Sequence, residues 1–373
     1  MSDRNGSVSK FENFSVVDLH GTWREMGRQY GALLSGHLKA AYAYAVEEVL
    51  KSNRQTKESA EAIAGGFYGN YPHKLREVLV GMSETSGLDL TQHILLNAME
   101  VLVAAEVWQK NTDALTNPMH CTGIAVWGEY SSSHLIYGRN YDYFGWFREL
   151  ASKLVVAVYH PSDGALATAT IGFPGCVYLT TGMNERGIFL ALNNGEPSGG
   201  ALQYHNRVPA IAELFLFLLD SPDLGQLESF FYTTRSNFAY VVGVADDQTS
   251  RCYEWPVFDV KRRLSVKRPG LMVATNHFTE PSWGLPRPDD KKFLYTRSRR
   301  QNLLNLAEHF KGSIDVSRMK KIMDTRLEDL GATTDNTIYQ VIAVPGTMTI
   351  SLKVPERTDW VDIQIGDFLT KVG

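Results

Sequence analysis

The pattern after residue 120 constrains the fold of this chain more than any other feature. Short runs of β-branched and aromatic residues recur from residue 123 to residue 354. Helical patterns interrupt them at 209–219, 226–234, 291–309 and 316–326. Successive antiparallel strands with helices between them favour layered α+β architectures. We therefore predict an α+β fold for residues 121–373.

The first 120 residues have a different pattern and are predicted to be mainly helical. Residues 1 to 13 are polar and are expected to be mobile, and 14–19 alternates as a strand does. From 23 to 50, apolar residues recur at intervals of three and four, which predicts a long amphipathic helix. Gly27 and Gly31 lie on one face of that helix, where glycine permits close backbone packing. Further helices are predicted from Pro72 to Thr85, and again after Asp89.

Cys121 begins the strand-rich region, and charged residues follow it at short range. A polar turn at 128–133 separates the apolar run after Cys121 from a second run that leads to Arg139 and Asp142. Antiparallel strands joined by a short turn bring the end of the second strand beside the start of the first. A nearby guanidinium favours the thiolate form of cysteine, so covalent catalysis is one interpretation. A small buried hydrophobic residue is the other.

Motifs in a fixed order connect this chain to a known group of enzymes. The runs CTGIAVWG, GRNYDY and GMNERG, the segment 275–278 (TNHF) and Thr296-Arg297 resemble the choloylglycine hydrolase, acid ceramidase and penicillin acyltransferase group. Residues 18–31 are similar to the opening of penicillin-acyltransferase-like precursors (peptidase family C45). This resemblance covers most of the chain.

The resemblance implies an N-terminal nucleophile hydrolase with a four-layer αββα sandwich. In such enzymes the chain cuts itself before the nucleophile, here between His120 and Cys121. Residues 1–120 would then be a pro-region or a small subunit, and 121–373 the catalytic region. The free amino group of Cys121 would act as the base for its own thiol. The polar, proline-containing run 111–119 is expected to be an exposed linker before the cut.

The resemblance also implies roles for residues around the nucleophile. Arg139 and Asp142 would flank Cys121, with Arg139 favouring the thiolate and Asp142 binding the new ammonium or the thiol. Arg297 would orient the site or meet the substrate. From spacing alone, Arg139 and Asp142 could equally form a local salt bridge, and Arg297 could be a solvent-facing helix residue.

Asparagines at strand ends are the implied oxyanion donors. Asn193 and Asn276 would supply side-chain N–H groups, with Asn194 as the competing choice for the first. Asparagine at a strand end is otherwise a turn former. A papain-like pair of Cys121 with His277 is disfavoured, because the flanks of Cys121 read as a strand and carry no CGSCW-like motif.

Aromatic residues near the motifs are candidates for the substrate pocket. Rings of this kind can line a site for an acyl chain or a ring system, and those concerned are Tyr141, Tyr143, Phe144, Trp146 and Phe173. They could also form core or a subunit contact, so a homo-oligomer stays open.

Composition excludes several other classes of protein. A net charge of −4 without long basic runs gives no indication of nucleic-acid binding. Ten histidines and three cysteines show no CxxC or HExxH spacing, so we expect no metal and no cofactor. The chain shows no signal-peptide pattern and no apolar run of about 20 residues, which favours a cytoplasmic protein without a membrane span. Cys176 and Cys252 are expected in the core.

The sequence thus predicts a self-processing cysteine amidohydrolase that cleaves a linear amide bond of a small N-acyl substrate through a thioester. Its cleaved N-terminal part would remain as a partner chain. An acyltransferase with the same site, passing the acyl group to an amine in a biosynthetic pathway, is the nearest alternative. A non-catalytic binding protein that keeps the fold is the alternative from another class.

Overall fold

Two stacked β-sheets with helices on both outer faces form the centre of the protein. The computed structural model describes residues 6–53, 56–100, 102, 120–200, 202–264 and 267–370. Within these residues the architecture is the four-layer αββα arrangement that the sequence predicts. No helix in this part of the chain is both long and apolar enough to cross a membrane.

The larger sheet has nine strands, and all its neighbours are antiparallel except β2 and β5. Their order across the sheet follows the chain, from β1 and β2 through β5 to β11. The strands are β1 (Ser7–Phe11), β2 (Phe14–Gly21), β5 (Val155–Pro161), β6 (Thr168–Gly172), β7 (Thr181–Asn184), β8 (Phe189–Asn194), β9 (Tyr240–Ala245), β10 (Ser250–Trp255) and β11 (Lys261–Arg262).

The smaller sheet has six antiparallel strands in the order β12-β3-β4-β13-β14-β15. These are β12 (Leu271–Ala274), β3 (Thr122–Val126), β4 (Ile136–Asp142), β13 (Thr337–Val344), β14 (Thr349–Lys353) and β15 (Val361–Gln364). The central pair, β3 and β4, is the hairpin that follows Cys121. This hairpin lies between β12 and β13, so β3 and β4 each pair with a neighbouring strand on both sides.

The two sheets face each other across an apolar core that also contains Cys121. Tyr137 on β4 reaches across this core to β9. A Cβ atom at Gly243 would overlap the Tyr137 hydroxyl, so glycine is needed for the ring to lie there. This contact sets how closely the sheets can approach at the centre of the fold.

Helices cover the outer faces, and a second apolar cluster lies beneath those on the smaller sheet. There, α10 (Thr296–His309) contacts β12 and β3, and α11 (Val316–Asp324) contacts β4 and β13. On the larger sheet, α1 (Trp23–Leu33) contacts β2 and β5, and α8 (Ala210–Asp220) contacts β7 and α9 (Leu224–Thr233).

The remaining helices complete the chain. In the N-terminal part these are α2 (Ser35–Asn53), α3 (Lys57–Gly69), α4 (His73–Thr85) and α5 (Leu90–Asn97). Later ones are α6 (Phe147–Ala151), α7 (Glu196–Gly199) and α12 (Gly366–Leu369).

Helices α1 and α4 pack with almost touching backbones, as the glycine spacing predicts. A Cβ atom at Gly27 would overlap the carbonyl oxygen of Val78, and one at Gly81 would overlap that of Arg24. Gly31 likewise meets Thr85 and the backbone of Met82. Close packing therefore requires glycine on both helices.

The described residues before Cys121 are part of the same fold as the region that follows it. Strand β2 pairs in parallel with β5 from Ser15 and Val155 to Gly21 and Pro161. Phe14, Val16 and Leu19 are fully buried there. The N-terminal segment therefore supplies two strands of the larger sheet as well as helices.

Several local predictions need correction. Residues 7–11, expected to be mobile, form β1, because an antiparallel partner on β2 satisfies their backbone groups. The single helix predicted over 23–50 is two helices, which meet at Leu34. Residues 177–180, which belong to one of the β-branched and aromatic runs predicted to be strands, are irregular, and β7 starts only at Thr181. The predicted linker at 111–119 lies outside the described residues.

The α1–α4 contact predicts a selective effect of alanine. We expect Gly27→Ala to lower the free energy of unfolding by about 1–3 kcal/mol, because the methyl group must push the Val78 backbone away. Gly65→Ala is the matched control, since Gly65 lies in helix α3 with open space around it. That change should be neutral or stabilising by up to about 1 kcal/mol. Urea denaturation of both variants measures the difference, and equal effects would contradict the close packing.

Candidate active site around Cys121

The β3–β4 hairpin places Cys121 beside Arg139 and Asp142, as its register requires. Gly123 pairs with Arg139, and the His120 N–H donates to the Asp142 carbonyl at 3.2 Å. Arg139 and Asp142 are fully buried, and Cys121 is 6% exposed. The side chains of Cys121, Arg139 and Asp142, which are predicted to meet, therefore lie together and are buried.

Arg139 is the cation nearest the sulfur. Its Nη2 group lies 3.5 Å from Cys121 Sγ, and Nη1 donates to the Thr180 carbonyl at 2.9 Å. Nε makes no hydrogen bond within the described chain. The backbone of Thr180, next to β7, thus holds the guanidinium so that one edge faces the thiol.

The Cys121 thiol is protonated in this environment. Burial raises its pKa above the ordinary value, Arg139 opposes that shift, and Asp142 adds to it. Desolvation disfavours the thiolate more than the cation favours it. The sulfur therefore needs a base before it can attack a carbonyl carbon.

His277 does not serve as that base in this arrangement. Its Nδ1 lies 3.2 Å from Thr275 Oγ1 and 3.0 Å from Thr296 Oγ1. Burial and nearby arginines lower its pKa to about 3. The histidine is a buried polar residue tied to two threonines, which agrees with the disfavoured papain-like reading. Cys176 and Cys252 are buried as expected.

Arg299, which the sequence analysis missed, lies at the centre of the site. It is fully buried on α10 and donates to the Cys121 carbonyl at 3.2 Å and to Asp142 Oδ2 at 3.3 Å. Nη2 donates to Asn276 Oδ1 at 2.8 Å, and Nη1 also bonds Thr122 Oγ1. One guanidinium therefore joins the start of β3, the end of β4 and the segment after β12.

Arg297, the residue predicted for the site, lies elsewhere. Its side chain is exposed, and its backbone N–H donates to Asp290 Oδ1 at 2.6 Å. Helical spacing explains the error, because Thr296, Arg299 and Leu303 share the buried face of α10 while Arg297 points away. The same spacing, read from the apolar residues that follow, could have selected Arg299.

Asp142 is held by two donors despite its burial. Thr337 Oγ1 donates to Oδ1 at 2.7 Å, and Arg299 donates to Oδ2. Burial raises the pKa of Asp142 to about 6, against the opposing effects of Arg299 and Thr337. Above that pH the carboxylate is ionised and can receive a positive group.

The candidate oxyanion asparagines differ in whether their side-chain NH2 group already donates a hydrogen bond. Asn193 Nδ2 donates to the carbonyls of Ala274 and Thr275 at 3.1 and 3.4 Å and so ties β8 to the end of β12. Asn276 Nδ2 donates to the Asn194 carbonyl at 2.9 Å. Asn194 Nδ2, in contrast, donates to no atom of the described residues.

A pocket opens beside the sulfur. Its wall includes Cys121 and Asp142 together with aromatic, apolar and amide side chains. These are Phe67, Glu100, Tyr141, Tyr143, Thr180, Leu192, Asn194, Gln203, Pro209, Ile211, Asn237, Phe238 and Tyr240. Such a wall suits a largely apolar organic substrate with a few polar groups. Asn194 belongs to it, whereas Asn193 and Asn276 do not.

Two of the five predicted substrate aromatics line this pocket, and three do not. Tyr141 and Tyr143 are on the wall. Phe173 packs edge-on against Tyr141, with ring centroids 5.9 Å apart, and Trp146 stacks on Phe147 at 3.9 Å. Phe144 lies against Tyr143 at 5.4 Å, outside the pocket lining. Phe144 and Trp146 follow the end of β4 and Phe173 follows β6, and none of the three is part of the pocket lining.

One group of side chains in the described chain could hold a cation. His20 Nε2 and His160 Nε2 approach Asp18 Oδ1 at 3.2 and 2.9 Å, and the two imidazoles stack 4.3 Å apart. These contacts are close approaches of opposite charge by distance, and His160 Nε2 makes no hydrogen bond within the described residues. The group lies on β2 and β5 of the larger sheet and takes no part in the Cys121 pocket.

Solved structures similar to this chain are amide-cleaving enzymes. The Caenorhabditis elegans N-acylethanolamine-hydrolyzing acid amidase ortholog matches 65% of this chain and 97% of its own, with 16% identity and a TM-score of 0.43. A conjugated bile acid hydrolase from Clostridium perfringens matches 66% and 93%, with 12% identity and a TM-score of 0.45. Penicillin V acylase from Agrobacterium tumefaciens matches 68% and 89%, with 10% identity and a TM-score of 0.39.

No protein-family model matches the chain, and no curated protein is similar to it in sequence.

The role of Arg299 predicts a large loss of stability on its removal. Arg299→Met should lower the free energy of unfolding by about 3–5 kcal/mol, because Asp142 is left buried without its cation. Arg297→Met, two residues earlier on the same helix, should change it by no more than about 0.5 kcal/mol. Chemical denaturation measures both variants. A similar small loss in the two would mean that the Arg299 contacts do not hold the site together.

Proposed function

We propose that this protein is a self-processing cysteine amidohydrolase with Cys121 as its N-terminal nucleophile. It cleaves a linear amide bond of a small N-acyl substrate through a thioester. The proposal rests on the groups that surround the Cys121 sulfur. Cys121 lines a pocket, Arg139 Nη2 lies 3.5 Å from its sulfur, and the nearby His277 is bound to two threonines. A free α-amino group on Cys121 itself would supply the missing base.

The burial of the bond between His120 and Cys121 supports self-cleavage over cleavage by another protease. The two residues are 1% and 6% exposed, and His120 is hydrogen-bonded to β4. A separate protease could not reach this bond without unfolding the hairpin. The Cys121 thiol, attached to the next residue, needs no such access. Attack on the His120 carbonyl, an N-to-S acyl shift and hydrolysis would free the amino group.

The reaction on the substrate would then use the same sulfur. The amino group takes the thiol proton, the sulfur attacks the amide carbonyl, and a tetrahedral oxyanion forms. The proton passes to the departing amine, which leaves a thioester on Cys121. Water attacks this thioester and releases the carboxylic acid. Arg139 stabilises the thiolate, and Asp142, ionised above pH 6, would hold the ammonium form of the new terminus.

Asn194 is the best-placed side-chain donor for the oxyanion. Its Nδ2 group is uncommitted among the described residues and lies on the pocket wall with Cys121. Its Oδ1 accepts from the Glu196 N–H at 2.7 Å, which orients the amide. Asn193 would have to give up two bonds between the sheets to play this part. We therefore assign the donor to Asn194, the alternative that the sequence left open.

Self-processing predicts two chains that stay together. Intact-mass analysis of the purified protein should show one fragment of residues 1–120 and one of residues 121–373, with Cys121 at the new terminus. Both should elute as one species in native size-exclusion chromatography, because β2 remains paired with β5. Cys121→Ala should stay one chain and hydrolyse no amide.

Cys252→Ala is the control for that experiment, since Cys252 is a buried cysteine on β10, outside the pocket lining. It should process normally. A wild-type protein that remains whole yet cleaves amides would show that the Cys121 amine is not the base.

The two neighbouring asparagines predict different phenotypes. Asn194→Ala should reduce kcat by about 10²–10³-fold with little change in stability, as expected for loss of one oxyanion donor. Asn193→Ala should lower the free energy of unfolding by about 1–3 kcal/mol, since two buried carbonyls lose their donor. Steady-state kinetics and thermal unfolding of the processed variants separate the cases. A loss of kcat confined to Asn193→Ala would return the oxyanion role to Asn193.

A further inference from the structure

Glu100 brings a carboxyl group into an otherwise aromatic part of the pocket. It is partly buried and lies on the wall with Cys121, Tyr141 and Tyr240. The Tyr143 hydroxyl donates to its backbone carbonyl, which fixes the residue against the end of β4. Nothing in the reaction at Cys121 uses this carboxyl group.

The charge surroundings of the Glu100 carboxyl group favour a cationic ligand. Within the described residues, no lysine, arginine or histidine forms an ion pair with it. Burial raises the pKa of Glu100 to about 7, and the facing hydroxyls of Tyr141 and Tyr178 oppose this shift together with the more distant Arg139. A buried carboxylate is costly unless it is paired, so a bound cation would be favourable here.

We propose that Glu100 binds an ammonium group in the acyl part of the substrate, so that this protein acts on amides of amino acids or other basic acyl groups. The inference rests on the proposed amidohydrolase function and names its substrate class. Three tyrosines, at 141, 143 and 240, lie on the same pocket wall as this carboxyl group. A neutral acyl chain of the same length would leave the carboxylate unpaired.

The position of the Glu100 carboxyl group favours a role in selecting the substrate over a role in proton transfer. Arg139, Asp142 and Arg299 all act electrostatically on the Cys121 thiol, whereas Glu100 acts on Tyr141, Tyr143 and Cys176. The carboxyl group shares the pocket wall with Cys121, and both groups act on the rings of Tyr141 and Tyr143 that line the same wall. An ammonium that meets it would be separated from the scissile carbonyl by several bonds, as along an amino-acyl chain.

Two chromogenic amides test this inference, 6-aminohexanoyl 4-nitroanilide and hexanoyl 4-nitroanilide. The processed wild-type protein should favour the amino compound by about 10- to 100-fold in kcat/KM, as a charged hydrogen bond provides. Glu100→Gln should lose this preference through a higher KM for the amino compound, and its KM for the neutral compound should fall, because no buried carboxylate is then left unpaired. Because ammonium binding needs the carboxylate, the preference should also weaken as the pH falls below about 7.

Glu213→Gln is the matched control. Glu213 is also partly buried with a raised pKa, but it lies on α8, outside the pocket lining. Its substitution should leave both substrates unaffected. Equal losses on both substrates in Glu100→Gln would reduce Glu100 to a structural residue, and a wild-type protein without charge preference would overturn the inference.

Binding without turnover separates this inference from the proposed function. Calorimetry at pH 8 should show binding of hexylamine to the wild-type protein, weaker binding of hexan-1-ol, and loss of the difference in Glu100→Gln. If hexylamine binds in this way and no amide is cleaved, the cation site stands and the hydrolase proposal fails. If amides are cleaved and hexylamine does not bind, the hydrolase proposal stands and the cation site is wrong.

Discussion

The arrangement around Cys121 depends on one buried guanidinium, that of Arg299. Removing an arginine from water is costly, and here the cost is offset by acceptors from three parts of the chain. Those acceptors are the carbonyl of Cys121, the carboxylate of Asp142 and the side-chain oxygen of Asn276. Each lies at the end of a different strand. The Arg299 guanidinium thereby fixes the spacing of the three strands around the Cys121 sulfur, where the proposed substrate would bind.

Burial also acts on the titratable groups of the pocket, because it disfavours their charged forms. It raises the pKa values of the Cys121 thiol, of Asp142 to about 6 and of Glu100 to about 7. The sulfur is therefore inert until a base appears next to it, and the Glu100 carboxyl group gains most from a ligand that brings its own positive charge. The same desolvation thus disfavours the thiolate of Cys121 and, under the proposed function, favours a substrate that carries a positive charge.

The parts of the site that the sequence predicted are those fixed by local geometry. A short turn between two strands is enough to place Arg139 and Asp142 beside Cys121, and this was confirmed. The prediction of Arg297 was wrong, because a short motif does not show which of its residues lies on the buried face of the helix. That residue is Arg299. Glu100 could not be found from the sequence, because its place depends on how the N-terminal helices pack against β4. The parallel pairing of β2 with β5 is likewise a contact between distant segments.

That pairing has a consequence for how such a protein is made. While residues 1–373 are one chain, β2 and β5 search for each other as tethered segments, and assembly is a first-order process. Once the backbone is cut ahead of Cys121, the same pairing would require two separate polypeptides to meet, so recovery from denaturation would slow on dilution. If the chain is cut there, the native topology is best reached before the cut, and the cleaved protein would keep the strand pairing that its precursor formed.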